Sequence, residues 1–355
     1  MEQPHVHSLS DDVPLDRIQH LRARVERIGS VGARSSLFGG RRGAAVKLRV
    51  MSEALEFLTL SHLNAIVDGY DSAIEHFVGV FGATLNMEIP DDVGAAVPDD
   101  PDARACLVSL GGVLYNFFAP NDRNAERGRG RLLGRYGDHY VGAEYSVPNL
   151  AEARERCHAL GIKIISDEGR VFFTYGGSCH GISWEVFNRD WHDVLVEGSE
   201  RYARPGTRAV PMPSQRFWRD EHPLGLTGLV RIGSAVEDLD EAVATFRRLV
   251  GAEELYRADR PTAAGHAVGL ELGDTVVELL APTGPGPLRE YLDRYGERIR
   301  STVYGVVDLG RVETYFAERG IPLVPGDAPG VLAIPPEHNH NLLFEFSEES
   351  STHPW

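Results

Sequence analysis

Apolar positions recur at spacings of three and four between residues 73 and 81. Ala73, Ile74, Phe77 and Phe81 share one face, which predicts a helix closed by Gly82 as its C-cap glycine. The apolar run from Leu58 to Val67 predicts a strand before it, ending at the turn residues Asp68 and Gly69. Short strands are predicted near 84–88, 105–110 and 113–118. The order then recurs. A strand over 140–147 meets Pro148 and Asn149, and a helix through Leu150, Ala153, Cys157 and Leu160 ends at Gly161. Strands follow near 162–166, 170–175 and 182–187. Each stretch is a β-α-β-β-β unit, and two more begin near Leu229 and Thr302.

The second pair of units repeats the first. HLNAIVDGYDSAIEHFVGVFGA, residues 62–83, aligns without a gap to RIGSAVEDLDEAVATFRRLVGA, residues 231–252. FFAP at 117–120 matches LLAP at 279–282, and LGRYGD at 133–138 matches LDRYGE at 292–297. HGISWEVF at 180–187 matches HNLLFEFS at 340–347, with His and Glu at the same spacing. Matches in one unbroken order imply an internal duplication. The expected organisation has five parts: a helical extension and linker over 1–54, an N-terminal pair of modules over 55–190, a connector over 191–222, a C-terminal pair over 223–347, and a tail over 348–355. The extension carries an amphipathic stretch through Leu15, Ile18, Leu21, Val25 and Ile28.

Composition removes several classes. The 355 residues are 42% hydrophobic and 25% charged, the mix of a globular protein. The net charge of −16 speaks against a nucleic-acid or acidic-membrane partner. Cys106, Cys157 and Cys179 form no CxxC, so neither a disulfide framework nor a zinc ribbon is expected. The first twenty residues carry Asp11, Asp12 and Asp16 with no apolar core, so no signal peptide is expected and the expected address is the cytoplasm.

The phrases VDGYDSAIEHFVGVFGA, VEDLDEAVATFRRLVGA and LGDTVVELLAPTGP, over about residues 56–190 and 224–347, resemble the vicinal oxygen chelate superfamily. That superfamily includes glyoxalases, methylmalonyl-CoA epimerases, extradiol dioxygenases and antibiotic-resistance proteins. The resemblance implies an α+β fold in which four βαβββ modules pair into two cupped, incomplete barrels. It also implies a divalent metal, with ligands on the first and fourth strands of each module, converging and leaving positions open for substrate oxygens.

On that register His62 is the first-strand ligand of the first module, five residues before Val67, and Glu185 is the fourth-strand ligand of the second. The remaining positions hold Asn116 and Gly142, so the pattern breaks there. Two residues offer themselves as the third ligand. Glu144 points to the same face as position 142, whereas His139 needs a bulge or bend at Gly142 to reach it. Asn64 and Asn116 face the cup as substrate contacts. In the second half the first-strand positions hold Arg231 and Ser301, while Glu278 and Glu345 keep the fourth-strand carboxylates. That half is expected to have lost its metal and to pair Arg231 with Glu278. His180 and His340 recur in both halves, which marks them as structural.

The expected function is metal-assisted isomerase or lyase chemistry on a small, oxygen-rich molecule, with Glu144 or His139 moving a proton beside a chelated enolate. The metal is Fe, Mn, Zn, Co or Ni. The alternatives are an Fe(II) extradiol-type dioxygenase using His62, His139 and Glu185, and a metal-free drug-binding resistance protein. A homodimer is compatible but not required, because four modules already supply both paired cups.

Overall fold

Each half of the chain builds one eight-stranded mixed sheet. The computed structural model describes residues 54–89, 103–188 and 209–350. The amphipathic extension, most of the connector and the end of the tail lie outside the described residues.

The first half contains β1 (Leu60–Ile66), α1 (Tyr70–Phe81), β2 (Thr84–Ile89), β3 (Ala103–Leu110), β4 (Val113–Pro120) and α2 (Gly128–Tyr136). It continues with β5 (His139–Ser146), α3 (Leu150–Leu160), β6 (Ile164–Asp167), β7 (Val171–Thr174) and β8 (Ser183–Phe187). The second half contains β9 (Leu226–Ala235), α4 (Leu239–Val250), β10 (Glu253–Arg260), β11 (Gly265–Leu272), β12 (Thr275–Pro282) and α5 (Pro287–Tyr295). It ends with β13 (Arg298–Val306), α6 (Leu309–Ala317), β14 (Val324–Pro325), β15 (Leu332–Ile334) and β16 (Leu343–Ser347).

The strand orders are β2-β3-β4-β1-β5-β8-β7-β6 and β10-β11-β12-β9-β13-β16-β15-β14. They are the same order written twice. Four βαβββ modules thus pair into two cupped sheets. Val67 and Val236 take equivalent places after β1 and β9. Their amides donate to Phe118 O at 2.9 Å and Leu280 O at 2.8 Å.

Local sequence explains the helix ends. Gly82 takes φ 65° and caps α1 by donating its N–H to the Phe77 and Val78 carbonyls. The Asn149 side chain accepts from the Ala151 and Glu152 amides at the start of α3, and Asp238 accepts from Glu241 at the start of α4. Helices α2 and α5 were not expected. Gly130 and Gly134 weaken the helical pattern of α2, yet a side chain at either would strike the carbonyl oxygen of Asp122 or Arg123. Those glycines permit close packing of the preceding loop.

The faces away from the cups share one core across the halves. Phe77 stacks on Phe117 at 4.4 Å, and Phe81 lies 5.4 Å from Phe344 and 5.7 Å from Phe316. Trp184 meets Phe246 edge-on at 6.0 Å. The Tyr140 hydroxyl bonds Thr302 Oγ1 at 2.9 Å, and the Tyr115 and Tyr304 hydroxyls bond each other. Two reciprocal contacts frame this core: His180 Nδ1 to Glu297 at 3.0 Å, and His340 Nδ1 to Asp138 at 2.7 Å. Both histidines take positive φ, 48° and 46°. They tie the halves together, which accounts for their recurrence.

Candidate metal centre

Strand alternation turns Leu63 and Ala65 of β1 into the shared core and leaves His62, Asn64 and Ile66 on the cup face. Ile66 there joins Met87, Leu107, Leu114 and Phe118, covered by Leu133 of α2. The antiparallel partner β5 carries a bulge. Asn64 faces Gly142 and Ala65 faces Tyr140, so Val141 is left without a partner. Past the bulge, His62 faces Glu144. Glu144 in turn faces Glu185 across the parallel β5–β8 pair. Three ligand-type side chains therefore stand side by side on adjacent strands, on one face.

Their candidate ligand atoms all lie within 4.8 Å of one another. His62 and Glu144 are each 1% exposed and Glu185 7%. His62 Nε2 is 3.2 Å from Glu185 Oε2 and 3.1 Å from Asn64 Oδ1, while Nδ1 is 3.6 Å from Glu144 Oε1. Asn64 Nδ2 donates to Glu185 at 2.9 Å. Burial pushes the Glu185 carboxyl up. Its contacts with His62, then with Glu144 and Asn64, outweigh that, and the net shift is downward.

These residues fit a divalent cation. Two carboxyl groups buried in mutual contact are costly unless positive charge compensates them. His62 Nδ1 makes no hydrogen bond among the described residues. One imidazole and two carboxylates form a donor set suited to first-row divalent ions.

The other expected site residues are placed as follows. Asn116 faces Asn64 across β1–β4, is 6% exposed, and its Oδ1 makes no hydrogen bond among the described residues. His139 does not join the group of three. The bulge brings it opposite Ile66, at the far end of β5 from Glu144. Its Nδ1 bonds Gly137 O at 2.7 Å, and burial lowers the imidazole to about 4. Gly142 is glycine for a steric reason, since a Cβ there would strike the Ser183 carbonyl oxygen of β8. The structure thus brings together His62, Glu144 and Glu185, with Asn64 and Asn116 beside them.

In the second cup Arg231 faces Val303, and Val303 faces Glu345. The three places therefore hold Arg, Val and Glu. Ser301 is the counterpart of Gly142, facing Gly233 as Gly142 faces Asn64. Arg231 Nε lies 3.5 Å from Glu278, the ion pair expected from the sequence. Arg260 also pairs with Glu278, and Tyr256 donates to Glu278 at 2.8 Å. Nothing in the sequence pattern marks Arg260, Tyr256 or Arg129 as facing a cup. The Arg129 guanidinium sits 3.8 Å over the cup-facing Phe118 ring, and it lies on α2, the helix the pattern concealed.

No family model matches the chain, and no curated protein matches it. Among solved structures, a triple-substituted 4-hydroxymandelate synthase from Streptomyces coelicolor is similar over 82% of this chain and 92% of its own, at 14% identity and TM-score 0.59. Methylmalonyl-CoA epimerase from Mycobacterium tuberculosis is similar over 34% of this chain and 87% of its own, at 22% identity and TM-score 0.32. The chain has the fold of the vicinal oxygen chelate superfamily. No helix among the described residues is long and apolar enough to cross a membrane.

Proposed function

We propose that the protein is a metal-dependent enzyme of the vicinal oxygen chelate type, with isomerase- or lyase-like chemistry on a small, oxygen-rich molecule. The observation that carries this reading is the convergence of buried His62, Glu144 and Glu185 in the first cup, against Arg231, Val303 and Glu345 in the second. These three residues would hold the cation. When bound, a divalent ion supplies Lewis acidity to neighbouring substrate oxygens.

The chain's own groups do the rest. Asn64 holds Glu185 in place through its 2.9 Å hydrogen bond. Asn116 Oδ1, buried and without a hydrogen bond among the described residues, is available to a substrate hydroxyl. Glu144 has two uses. It can complete the donor set. Lying on the Nδ1 side of His62 rather than beside Nε2, it can instead take a proton from the carbon next to the bound oxygens. The apolar cup wall of Ile66, Leu107, Leu114 and Phe118 excludes water from that transfer.

The dioxygenase alternative needs a second histidine ligand, and His139 stands outside the group of three. The likeness to 4-hydroxymandelate synthase is one of fold and leaves the reaction to the site. The test is proton exchange in D₂O. Metal-loaded protein and a panel of 2-oxo acids and acyl thioesters are followed by NMR, with oxygen uptake monitored in parallel. The expected result is deuterium uptake at the carbon beside the chelating oxygens, without oxygen consumption. Oxygen consumption without exchange contradicts it.

A further inference from the structure

Two buried nitrogen atoms near the joint between the halves lack hydrogen-bond partners among the described residues: His139 Nε2 and Arg298 Nε. They belong to equivalent places in the duplicated fold. His139 faces Ile66 in the first sheet, and Arg298 faces Ala235 in the second. Both rest on one aromatic ring. The His139 ring is 5.4 Å from that of Tyr136, and the Arg298 guanidinium is 4.2 Å over it. His139 is 3% exposed.

The protonation of His139 is fixed by its neighbour. A carbonyl oxygen only accepts, so the Nδ1 that meets Gly137 O at 2.7 Å carries the ring proton. Burial and the nearby charge of Arg298 keep the imidazole neutral, so Nε2 is a bare acceptor. Arg298 Nε is a donor and nothing else.

We propose that His139 Nε2 and Arg298 Nε together hold the hydroxyl group of a bound alcohol or phenol. A hydroxyl accepts from Arg298 and donates to His139 in one atom. A carboxylate would meet the His139 lone pair, an ether has no proton to give, and an ammonium cannot accept. His139 lies on the cup face that carries the triad, and Arg298 reaches the Tyr136 ring beside it from the second sheet. From His62 to Ile66, the residue opposite His139, is four positions along β1, roughly 13 Å at the rise of a strand. Assigning this hydroxyl to the remote end of the substrate rests on the proposed function; the hydroxyl site itself stands on these two atoms.

The test is an NMR titration of the full chain carrying ¹⁵N-labelled histidine, with the His139 signals assigned by their loss in His139→Phe. The probes are phenol and cyclohexanol, their methyl ethers, and benzoate. The expected result is a saturable shift of the His139 Nε2 resonance with the two hydroxyl compounds and not with the ethers or benzoate. Arg298→Met should weaken hydroxyl-probe binding about tenfold, the scale of one lost hydrogen bond. The wild-type comparison of alcohol with ether needs no variant, so a folding defect does not blur it. Equal shifts from alcohols and ethers overturn the proposal. So does the absence of any shift, which would mean that the two nitrogens are bridged by water alone. Repeating the titration on His62→Ala separates the two readings. An unchanged alcohol shift there keeps the hydroxyl site even if the metal reading fails, and a shift abolished there overturns the site as drawn.

Discussion

Val303 stands across from Arg231 in the β9–β13 pair as Glu144 stands across from His62 in the β1–β5 pair. One duplicated frame therefore holds a ligand-type cluster in its first cup and an Arg231–Glu278–Arg260 ion cluster in its second. Arg231 and Glu278 are each 3% exposed. Without Arg231, Glu278 keeps Arg260 and the Tyr256 hydroxyl as partners, so its charge is only partly uncovered. Arg231→Ala should therefore lower unfolding stability by about 1–3 kcal/mol, less than the loss of a sole partner, with bound metal unchanged. Urea denaturation and metal analysis of the same sample check this. A loss below about 1 kcal/mol would show that Arg260 alone neutralises Glu278.

Glu345 occupies in the second cup the place of Glu185, without a ligand histidine beside it. Burial, then the neighbouring Asp327, raises its carboxyl to about 7. The folded protein thus keeps a proton that the unfolded chain releases near the ordinary carboxyl value. Stability contributed by this group is complete below that value and is lost as pH rises through about 7, on the order of 1–3 kcal/mol. Glu345→Gln should flatten the pH dependence of stability between about pH 5 and 8. An unaltered slope in that variant would show that Glu345 titrates normally.

The His180–Glu297 contact between the halves adds a second pH dependence. The hydrogen bond to Glu297 raises His180 above its ordinary value despite burial. Its contribution is complete below the unfolded histidine value and disappears as pH rises through the raised one. Burial works against Glu297, but its bonds to His180 and the Glu237 amide bring it below its ordinary value, so its contribution is lost as pH falls through the lowered value. The pair stabilises most in the window between. Glu297 is partly exposed, so His180→Gln should cost less than about 1 kcal/mol near pH 6 and nothing measurable near pH 9. Thermal melts at the two pH values decide it, and an equal loss at both would remove the ionic contribution.

Much of this molecule was legible in the sequence because duplication wrote it twice. The helical face of α1, the glycine at 82 and the matched phrases fix the modules, and strand parity places Glu144 on the cup face. What escaped was set by contacts between distant segments. Gly130 and Gly134 disguised α2, although they are there to admit the backbone at Asp122 and Arg123. Gly142 stood where a ligand was expected because β8 passes too close for a side chain. The Val141 bulge carries His139 to the cup face yet leaves it outside the triad, a register detail that alternation alone does not give.

Glu144 separates two roles within the site. If it moves the proton, Glu144→Gln should retain bound metal and lose proton exchange by about 100-fold or more, the range of general-base catalysis. If it is a ligand, metal and exchange fall together. Measuring both quantities on one preparation distinguishes the cases. Full activity with full metal would remove Glu144 from the mechanism.

Whether the first cup holds a divalent metal and the second does not is read by metal analysis after dialysis against Mn²⁺, Fe²⁺, Co²⁺, Ni²⁺ and Zn²⁺ in turn, on the wild-type chain and on His62→Ala and Ser301→Ala. The expected result is about one bound ion per chain in the wild type and in Ser301→Ala, and almost none in His62→Ala, since of these two positions His62 alone stands in a ligand cluster. A wild-type chain that retains no ion, or equal losses in the two variants, would contradict it.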